Sequence, residues 1–246
     1  MEKHSVNFLK AQTKYKRVLL KLSGESLSGE LDGGIDVKVL KYISTEIKKV
    51  HSLGVEVGIV VGGGNIYRGL DAQGQGIDAV TGDYMGMLAT IINSLALQNS
   101  LEREGMPTRL LSAIDMNKIS EPFIKRRAVR HIEKGRVVIF GGGTGNPFFT
   151  TDTAGALRAL EIDADVILKG TRVDGVYDKD PEKFKGAKKY NSVSFSDAIS
   201  RNLKIMDMTA FALCRENKIP IIVFDINKKD NFKNVVLGKN VGTIVS

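Results

Sequence analysis

Residues 137–152 read VVIFGGGTGNPFFTTD and combine three signals in one stretch. The first four residues form a short apolar run typical of a buried strand, and residues 154–160 have the pattern of a helix. Four of the next five residues are glycines, which let the backbone approach a ligand closely. The closing Thr-Thr-Asp can cap the helix, whose first N–H groups attract anions. The stretch therefore predicts a phosphate site at the carboxyl end of a parallel strand.

Strands and helices alternate along the rest of the chain. Apolar runs predict further strands at residues 18–22, 55–61, 108–111, 165–169 and 220–224, with a last one near Thr243. Helices are predicted after Asp36 up to Gly54, and at residues 83–104, 120–134 and 207–217. This rhythm predicts the α/β class, as a three-layer αβα sandwich around a mainly parallel central sheet. We expect a flexible N-terminal tail over residues 1–14 and one catalytic domain over residues 15–246.

Composition excludes several classes of protein. The chain has 246 residues, of which 42% are hydrophobic, and no run approaches the roughly 20 apolar residues that span a bilayer. Its N-terminus lacks the apolar centre of a signal peptide. The single cysteine, Cys214, cannot form an intramolecular disulfide, and its apolar surroundings predict a packed core thiol. These features predict a cytoplasmic protein with no membrane partner.

The net charge of +8 is concentrated in two places. Residues 1–17 hold five lysine or arginine side chains against Glu2, which is +4, and a second basic group lies at residues 125–130. We interpret these as a basic tail and a solvated helix face, with attraction to nucleotides or nucleic acid as the alternative. Aromatic residues do not alternate with the basic ones, which argues against a stacking surface for single-stranded nucleic acid.

Three more loops with phosphate-binding character follow predicted strands. They read KLSGE at residues 21–25, GGGNIYRG at residues 62–69 and KGTRVDGVYDKDP at residues 169–181. A strand-end lysine beside serine and glycine can place its ammonium over a phosphate, and an arginine can bind a phosphate through two hydrogen bonds. Each loop taken alone also fits an ordinary turn with surface cations.

The common nucleotide signatures are missing from the sequence. It contains neither G-x-x-x-x-G-K-[ST] nor G-x-G-x-x-G, and its three histidines lack metal-ligand spacing. No serine or cysteine nucleophile is paired with a base in any recognisable pattern. Glycine loops, strand-end lysines, one arginine and Asp152 instead suit phosphoryl transfer, in which catalysis is mostly positioning and charge neutralisation.

Five segments together carry a resemblance to a known family. They are KLSGE at 21–25, GGGNIYRG at 62–69, DYMGMLAT at 83–90, GTGNPFFTTD at 143–152 and VDGVY at 173–177. In this order and spacing the chain resembles the amino acid kinase superfamily, and within it the bacterial UMP kinases, over about residues 15–245. The resemblance implies transfer of the γ-phosphoryl group of ATP to UMP, with Mg²⁺ accompanying ATP and no directly assigned protein ligand for the metal.

The resemblance also implies roles for individual residues. The catalytic group would be Lys21, Arg68, Asp152 and Lys169. The UMP site would consist of Gly63, Asp83, Thr144, Gly145, Asn146, Pro147, Phe148, Phe149, Thr150 and Thr151. The ATP site would consist of Lys21, Leu22, Ser23, Gly24, Gly64, Arg68, Thr171, Tyr177 and Asp180. No general base is required, because the acceptor phosphate is already largely anionic at pH 7.

Regulation and assembly are further implications of the resemblance. Such kinases are usually hexamers that GTP activates and UTP inhibits, and the allosteric segment would be Gly29, Glu30, Leu31, Asp32, Gly33 and Gly34. Three other functions remain open from the residues themselves. The same fold can phosphorylate acetylglutamate, carbamate or isopentenyl phosphate, or bind nucleotides and oxyanions without catalysis. The +8 charge alone leaves open a nucleic-acid-binding regulator.

Overall fold

The computed structural model describes residues 12–67 and 76–246, and within these residues nine strands form one sheet. The strands are β1 (Arg17–Leu22), β2 (Glu56–Val61), β3 (Thr108–Ser112), β4 (Glu121–Pro122), β5 (Val137–Gly141), β6 (Val166–Thr171), β7 (Ser192–Val193), β8 (Ile221–Asp225) and β9 (Thr243–Val245). Their order across the sheet is β4-β3-β5-β2-β1-β6-β8-β9-β7. Every neighbouring pair is parallel except β8 with β9, which confirms the predicted mainly parallel sheet.

Helices cover both faces of this sheet. They are α1 (Val37–His51), α2 (Ala79–Arg103), α3 (Lys125–Glu133), α4 (Thr151–Glu161), α5 (Phe195–Ser200), α6 (Met208–Glu216) and α7 (Asn231–Val236), and a short 3₁₀ helix spans Gly24–Leu27. Apolar side chains of α1, α2 and α7 fill the core on one face, and those of α3 to α6 fill the core on the other. The predicted three-layer αβα class is confirmed.

Helix α1 shows how local sequence sets these elements. The side chain of Asp36 accepts a hydrogen bond from Lys38 N at 2.7 Å and so caps the first turn. Apolar residues spaced by three and four face the sheet and are buried, and they are Leu40, Ile43, Ile47 and Val50. The predicted start of this helix after Asp36 is therefore confirmed.

The predicted start of the second helix at Asp83 is wrong. Helix α2 begins at Ala79, because Asp78 caps it by accepting a hydrogen bond from Thr81 N at 3.0 Å. Asp83 therefore lies within the first two turns of the helix rather than at its end. Because the helix begins at Ala79, Asp83 lies about one turn after the cap, and its side chain contacts the loop that follows β5.

The predicted helix from Ser120 to Lys134 is also wrong at its start. Residues 121–122 instead form β4, in which Glu121 pairs with Leu111 of β3. The main-chain N of Phe123 then donates to the oxygen of Ser112 at 2.8 Å, so the chain continues along the sheet edge. Helix α3 begins only at Lys125. Pairing with a neighbouring strand has here outweighed the local preference of Ser and Pro for a helix start.

Three further observations concern the helices, the N-terminal region and Cys214. No helix in residues 12–67 and 76–246 has the length and apolar character needed to cross a membrane. The main-chain N of Lys14 donates to the oxygen of Val236 at 2.8 Å. Residues 1–11 lie outside the described residues, so the boundary of the tail stays a prediction. Cys214 is buried in the core, as predicted.

Candidate active site

Two lysines stand side by side near the carboxyl ends of adjacent strands. Lys21 of β1 and Lys169 of β6 are direct partners in the parallel pairing of these strands. Asp152, in the first turn of α4, places Oδ1 2.6 Å from Lys21 Nζ and Oδ2 2.9 Å from Lys169 Nζ. The contact between Lys21 Nζ and Asp152 Oδ1 is an ion pair without hydrogen-bond geometry. One carboxylate therefore orients two cations that the sheet has brought to the same edge.

This cluster is largely buried and carries a net charge of +1. The side chains of Lys21, Asp152 and Lys169 are 8%, 14% and 17% exposed. Burial would raise the pKa of Asp152, but the ammonium groups of Lys21 and Lys169 outweigh it and hold the pKa below its usual value. Burial likewise lowers the pKa of Lys169. The carboxylate of Asp152 opposes this lowering, and the ammonium group of Lys21 adds to it. Two buried cations that share one anion favour the approach of a further negative group such as a phosphate.

The loop between β5 and α4 takes its shape from glycines and from contacts with α2. Gly142 and Gly145 have φ angles of +76° and +82°, a region that favours glycine. Gly142 N donates to Thr90 Oγ1 at 2.9 Å, and Phe148 N donates to Asp83 Oδ2 at 2.7 Å. Phe148 itself has a φ of +70°, which is uncommon for a residue with a side chain. Helix α2 thus holds both ends of this loop.

The glycines after β1 and β2 allow two loops to pack on each other. A Cβ atom at Gly24 would lie 2.5 Å from Asn65 Oδ1 and 2.6 Å from Gly64 N. A Cβ atom at Gly63 would lie 2.8 Å from the oxygen of Gly86 in α2. All three distances are too short for a real contact, so these positions need glycine for packing between protein segments. A close approach to a ligand is not required to explain these glycines.

A cavity of about 680 Å³ opens beside Lys169. Its walls come mainly from the segment after β6, residues 169–184, and from residues 201–205. Among the residues predicted for the ATP site, Ser23, Thr171, Tyr177 and Asp180 line this cavity. Its volume lies within the range of about 300–1,000 Å³ that is typical of small-molecule sites. The cavity adjoins the lysine pair through Lys169, and residues 141–150 are not among its walls.

The chain matches a protein-family model. Residues 16–225 match the model of the amino acid kinase family, which covers most of the chain. The chain belongs to the amino acid kinase family. The resemblance to this family that was found in the sequence is thereby confirmed.

Three solved structures, of two UMP kinases and a uridylate kinase, are similar to this chain. The chain is similar to UMP kinase from Bacillus anthracis, at 42% identity and a TM-score of 0.92, over 94% of this chain and 96% of that one. It is similar to UMP kinase from Ureaplasma parvum, at 42% identity and a TM-score of 0.89, over 94% and 98% of the two chains. Uridylate kinase from Archaeoglobus fulgidus is 29% identical, with a TM-score of 0.73 over 93% and 99%.

The structure brings together only part of the predicted site. It joins Lys21, Asp152 and Lys169 directly, and it places Asp83 against the main chain of Phe148 in the predicted acceptor loop. The side chain of Leu22 is buried in the apolar core, so only its backbone is available to a nucleotide. Arg68, predicted for both the catalytic group and the ATP site, lies outside the described residues. The roles of all these residues stay predictions.

Asp207 is a site neighbour that the sequence did not reveal. Its carboxylate accepts hydrogen bonds from the hydroxyl of Thr150, from Thr153 N at 3.1 Å and from Ala210 N at 2.8 Å. It therefore caps α6 and also binds the first turn of α4, which carries Asp152. The sequence marked Asp207 as a helix start, but nothing local pointed to a contact with a helix more than 50 residues earlier.

Proposed function

We propose that this protein is a UMP kinase, which transfers the γ-phosphoryl group of ATP to UMP and gives UDP and ADP in pyrimidine nucleotide biosynthesis. The observation that carries the proposal is the buried Lys21–Asp152–Lys169 cluster, in which Lys169 lines a nucleotide-sized cavity and Asp152 directly follows the glycine-rich loop. Two anionic phosphates must be brought together for this reaction, and the cluster supplies paired cations at that position. The choice of UMP as acceptor is supported by two relatives named UMP kinase at 42% identity.

The residues divide between a donor side and an acceptor side. On the donor side Lys169, Thr171, Tyr177 and Asp180 line the cavity that would take ATP. On the acceptor side Asp83 would accept from the ribose hydroxyls, and the loop from Thr144 to Thr151 would surround UMP. The Asp83 oxygen Oδ2 already accepts from Phe148 N, so Oδ1 is the oxygen that would face the ribose. Asp83 would thereby connect bound UMP to the loop that encloses it.

The lysine pair would act by charge neutralisation and alignment. Lys21 and Lys169 approach one carboxylate from two strands, so their ammonium groups are held at a fixed separation. Groups that are fixed before the reaction need no reorganisation when charge moves in the transition state. Because the acceptor oxygen is already anionic, the site needs no proton acceptor of its own. Asp152 would serve to orient the lysines.

Magnesium would enter this site with ATP. In residues 12–67 and 76–246 no group of three or more His, Cys, Asp or Glu side chains could hold a metal ion. Asp152, which we propose for the catalytic group, has both its oxygens engaged by lysines. The donor set therefore fits a Mg²⁺ ion held mainly by the phosphates of ATP, where it would neutralise their charge.

The assembly we propose is a homo-oligomer, and specifically a hexamer, located in the cytoplasm. An exposed apolar stripe supports self-association: Val80, Tyr84, Leu88 and Ile92 recur every fourth residue on one face of α2 and are 39–50% exposed. We expect Leu88→Lys to lower the molar mass measured by light scattering after size-exclusion chromatography. An unchanged mass would contradict an interface on this face.

We also propose that GTP activates and UTP inhibits the enzyme. The segment from Gly29 to Gly34 is mostly exposed and contacts the glycine loop after β2, because Gly34 N donates to Asn65 O at 2.8 Å. Asn65 Nδ2 donates in turn to Gly34 O at 2.6 Å. A change in this segment would thus directly reach the loop that carries Gly63 and Gly64. A reaction rate that stays flat across GTP concentrations would contradict activation.

The deciding experiment is a test of acceptor choice. The purified protein is given Mg·ATP with UMP, CMP, dUMP, acetylglutamate or carbamate in separate reactions, and ADP formation is measured. We expect ADP to form rapidly with UMP alone. ADP formation with acetylglutamate or carbamate would indicate a different kinase of this fold, and no ADP with any acceptor would indicate a nucleotide-binding protein without catalysis.

A further inference from the structure

The carboxylate of Asp174 joins three segments at the carboxyl edge of the sheet. The hydroxyl of Tyr177 donates to its Oδ1 at 2.6 Å. Its Oδ2 lies 3.4 Å from Lys189 Nζ and 3.6 Å from Lys228 Nζ. Asp174 and Tyr177 follow β6, Lys189 precedes β7 and Lys228 follows β8. One side chain therefore has partners in both arms of the β6–β7 connection and in the segment that follows β8.

The contacts of Asp174 differ in strength. The two lysine contacts are long, and Lys228 is 59% exposed, so these ion pairs contribute little to stability. The bond from Tyr177 is short, and its acceptor is charged, which places it among the strong hydrogen bonds. The same bond lowers the pKa of Asp174 and raises the pKa of Tyr177 to about 12, so both groups keep their bonding form at neutral pH.

The backbone around Tyr177 is held by other contacts. Val176 N donates to Thr243 Oγ1 at 2.8 Å, and Tyr190 N donates to Val176 O at 2.9 Å. Tyr177 also forms an antiparallel bridge with Lys189. The course of the main chain therefore does not depend on Asp174. What Asp174 controls is the direction of the Tyr177 side chain, which lines the donor cavity.

We propose that Asp174 is a positioning residue that fixes Tyr177 in the wall of the donor cavity and so raises the affinity for ATP. This inference rests on the proposed function, in which the cavity takes ATP. Asp174 itself is placed away from the reacting phosphates, because its contacts are with Tyr177 and two lysines. Its removal should therefore affect ATP binding and leave the phosphoryl transfer step unchanged.

The test compares Asp174→Ala, Asp174→Asn and Tyr177→Phe in the full-length protein. We expect Asp174→Ala and Tyr177→Phe each to raise KM for ATP roughly tenfold, with kcat and KM for UMP within about twofold of wild type. The double variant should be no worse than either single variant, because both changes remove the same bond. Asp174→Asn should recover much of the affinity, since its amide oxygen can still accept from the phenol.

Lys228→Gln is the matched control. It removes one ion pair of Asp174 and leaves the bond to Tyr177 in place, so KM for ATP should stay at the wild-type value. Equal rises in KM for ATP and for UMP in Asp174→Ala would overturn the proposal, since they would indicate general damage. Additive effects in the double variant, or an unchanged KM for ATP in both single variants, would overturn it too. Thermal unfolding of each variant shows whether the fold is retained.

Calorimetric titration with ATP in the absence of acceptor separates this proposal from the proposed function. If wild type binds ATP but phosphorylates no UMP, the assigned acceptor is wrong, and weaker ATP binding by Asp174→Ala still supports the positioning role. If wild type is an active UMP kinase and the variants bind ATP as tightly as wild type does, the positioning role alone is refuted.

Discussion

Replacing Asp152 with asparagine would leave two buried ammonium groups facing each other without their shared anion. At 2.6 and 2.9 Å each lysine is attracted to the carboxylate by about 6 kcal/mol, taking an effective dielectric constant of about 20. Much of this attraction offsets the cost of taking the charges out of water, so the net effect is smaller. Removing one partner of a buried ion pair costs about 3–5 kcal/mol. Asparagine keeps a hydrogen-bond acceptor, so we expect a loss of about 3 kcal/mol.

Two measurements follow from this magnitude. For a chain of this size, a loss of about 3 kcal/mol corresponds to a fall in Tm of roughly 6–12 °C, measurable by circular dichroism at pH 7. Lysines that are no longer held at a fixed separation should lower kcat by roughly 100-fold in the ADP-release assay. KM for UMP should change little, because Asp83 and the acceptor loop are untouched.

The pH dependence of the Tm provides a further test of the role of the Asp152 carboxylate. The pKa of Asp152 is lowered in the folded protein, so its stabilisation is complete above the ordinary carboxyl value of about 3.9 and is lost as the pH falls through the folded value. The difference in Tm between wild type and Asp152→Asn should therefore shrink below about pH 4.

Asp163→Asn provides the control for this experiment. Asp163 is an exposed residue just beyond the other end of α4, and its φ of +54° is one that asparagine also tolerates. We expect the Tm and kcat of the Asp163→Asn variant to match those of wild type. If Asp152→Asn kept the wild-type Tm and kcat at pH 7, the carboxylate would not be organising the lysines, and the reasoning would be refuted.

Three further substitutions separate chemistry, acceptor binding and stability. Lys21→Ala should lower kcat by roughly 100- to 1,000-fold, and a variant with normal kcat and only a raised KM would contradict its role in the transition state. Asp83→Asn should raise KM for UMP roughly tenfold without changing KM for ATP, because a charged acceptor is lost from one side of the site. Asp36→Ala removes the cap of α1 and should lower the unfolding free energy by about 1 kcal/mol, with unchanged kinetics; a change in kcat would contradict a purely structural cap.

Local signals predicted the elements that are stabilised locally. Capping by Asp36 and the spacing of apolar residues in α1 predicted that helix correctly. Apolar runs such as those of β1 and β2 predicted buried strands, since a parallel strand is covered on both faces. Strand-end lysines and the glycine-rich loop then predicted an anion site near the carboxyl edge of the sheet.

The missed elements depend on distant partners. Strand β4 has two residues, and its pairing with β3 across ten positions of sequence replaced a helix start that the local signals favoured. The short strand β7 and the helices α5 and α7 were not predicted, because each has only two or six residues and is stabilised mainly by packing. The sequence identified Asp207 only as a helix start, because its contact with Thr153 joins residues 54 positions apart.

The sequence by itself determined the alternation of strands and helices, the three-layer class, the family and the kinds of residue at the strand ends. These follow from periodicity, caps and motifs that act within a few residues. Only the tertiary structure decided that Lys21 and Lys169 are register partners, that one carboxylate lies between them, and that Asp174 holds Tyr177. The physical reason is that strand order and register bring together residues far apart in the chain, and local sequence does not specify them.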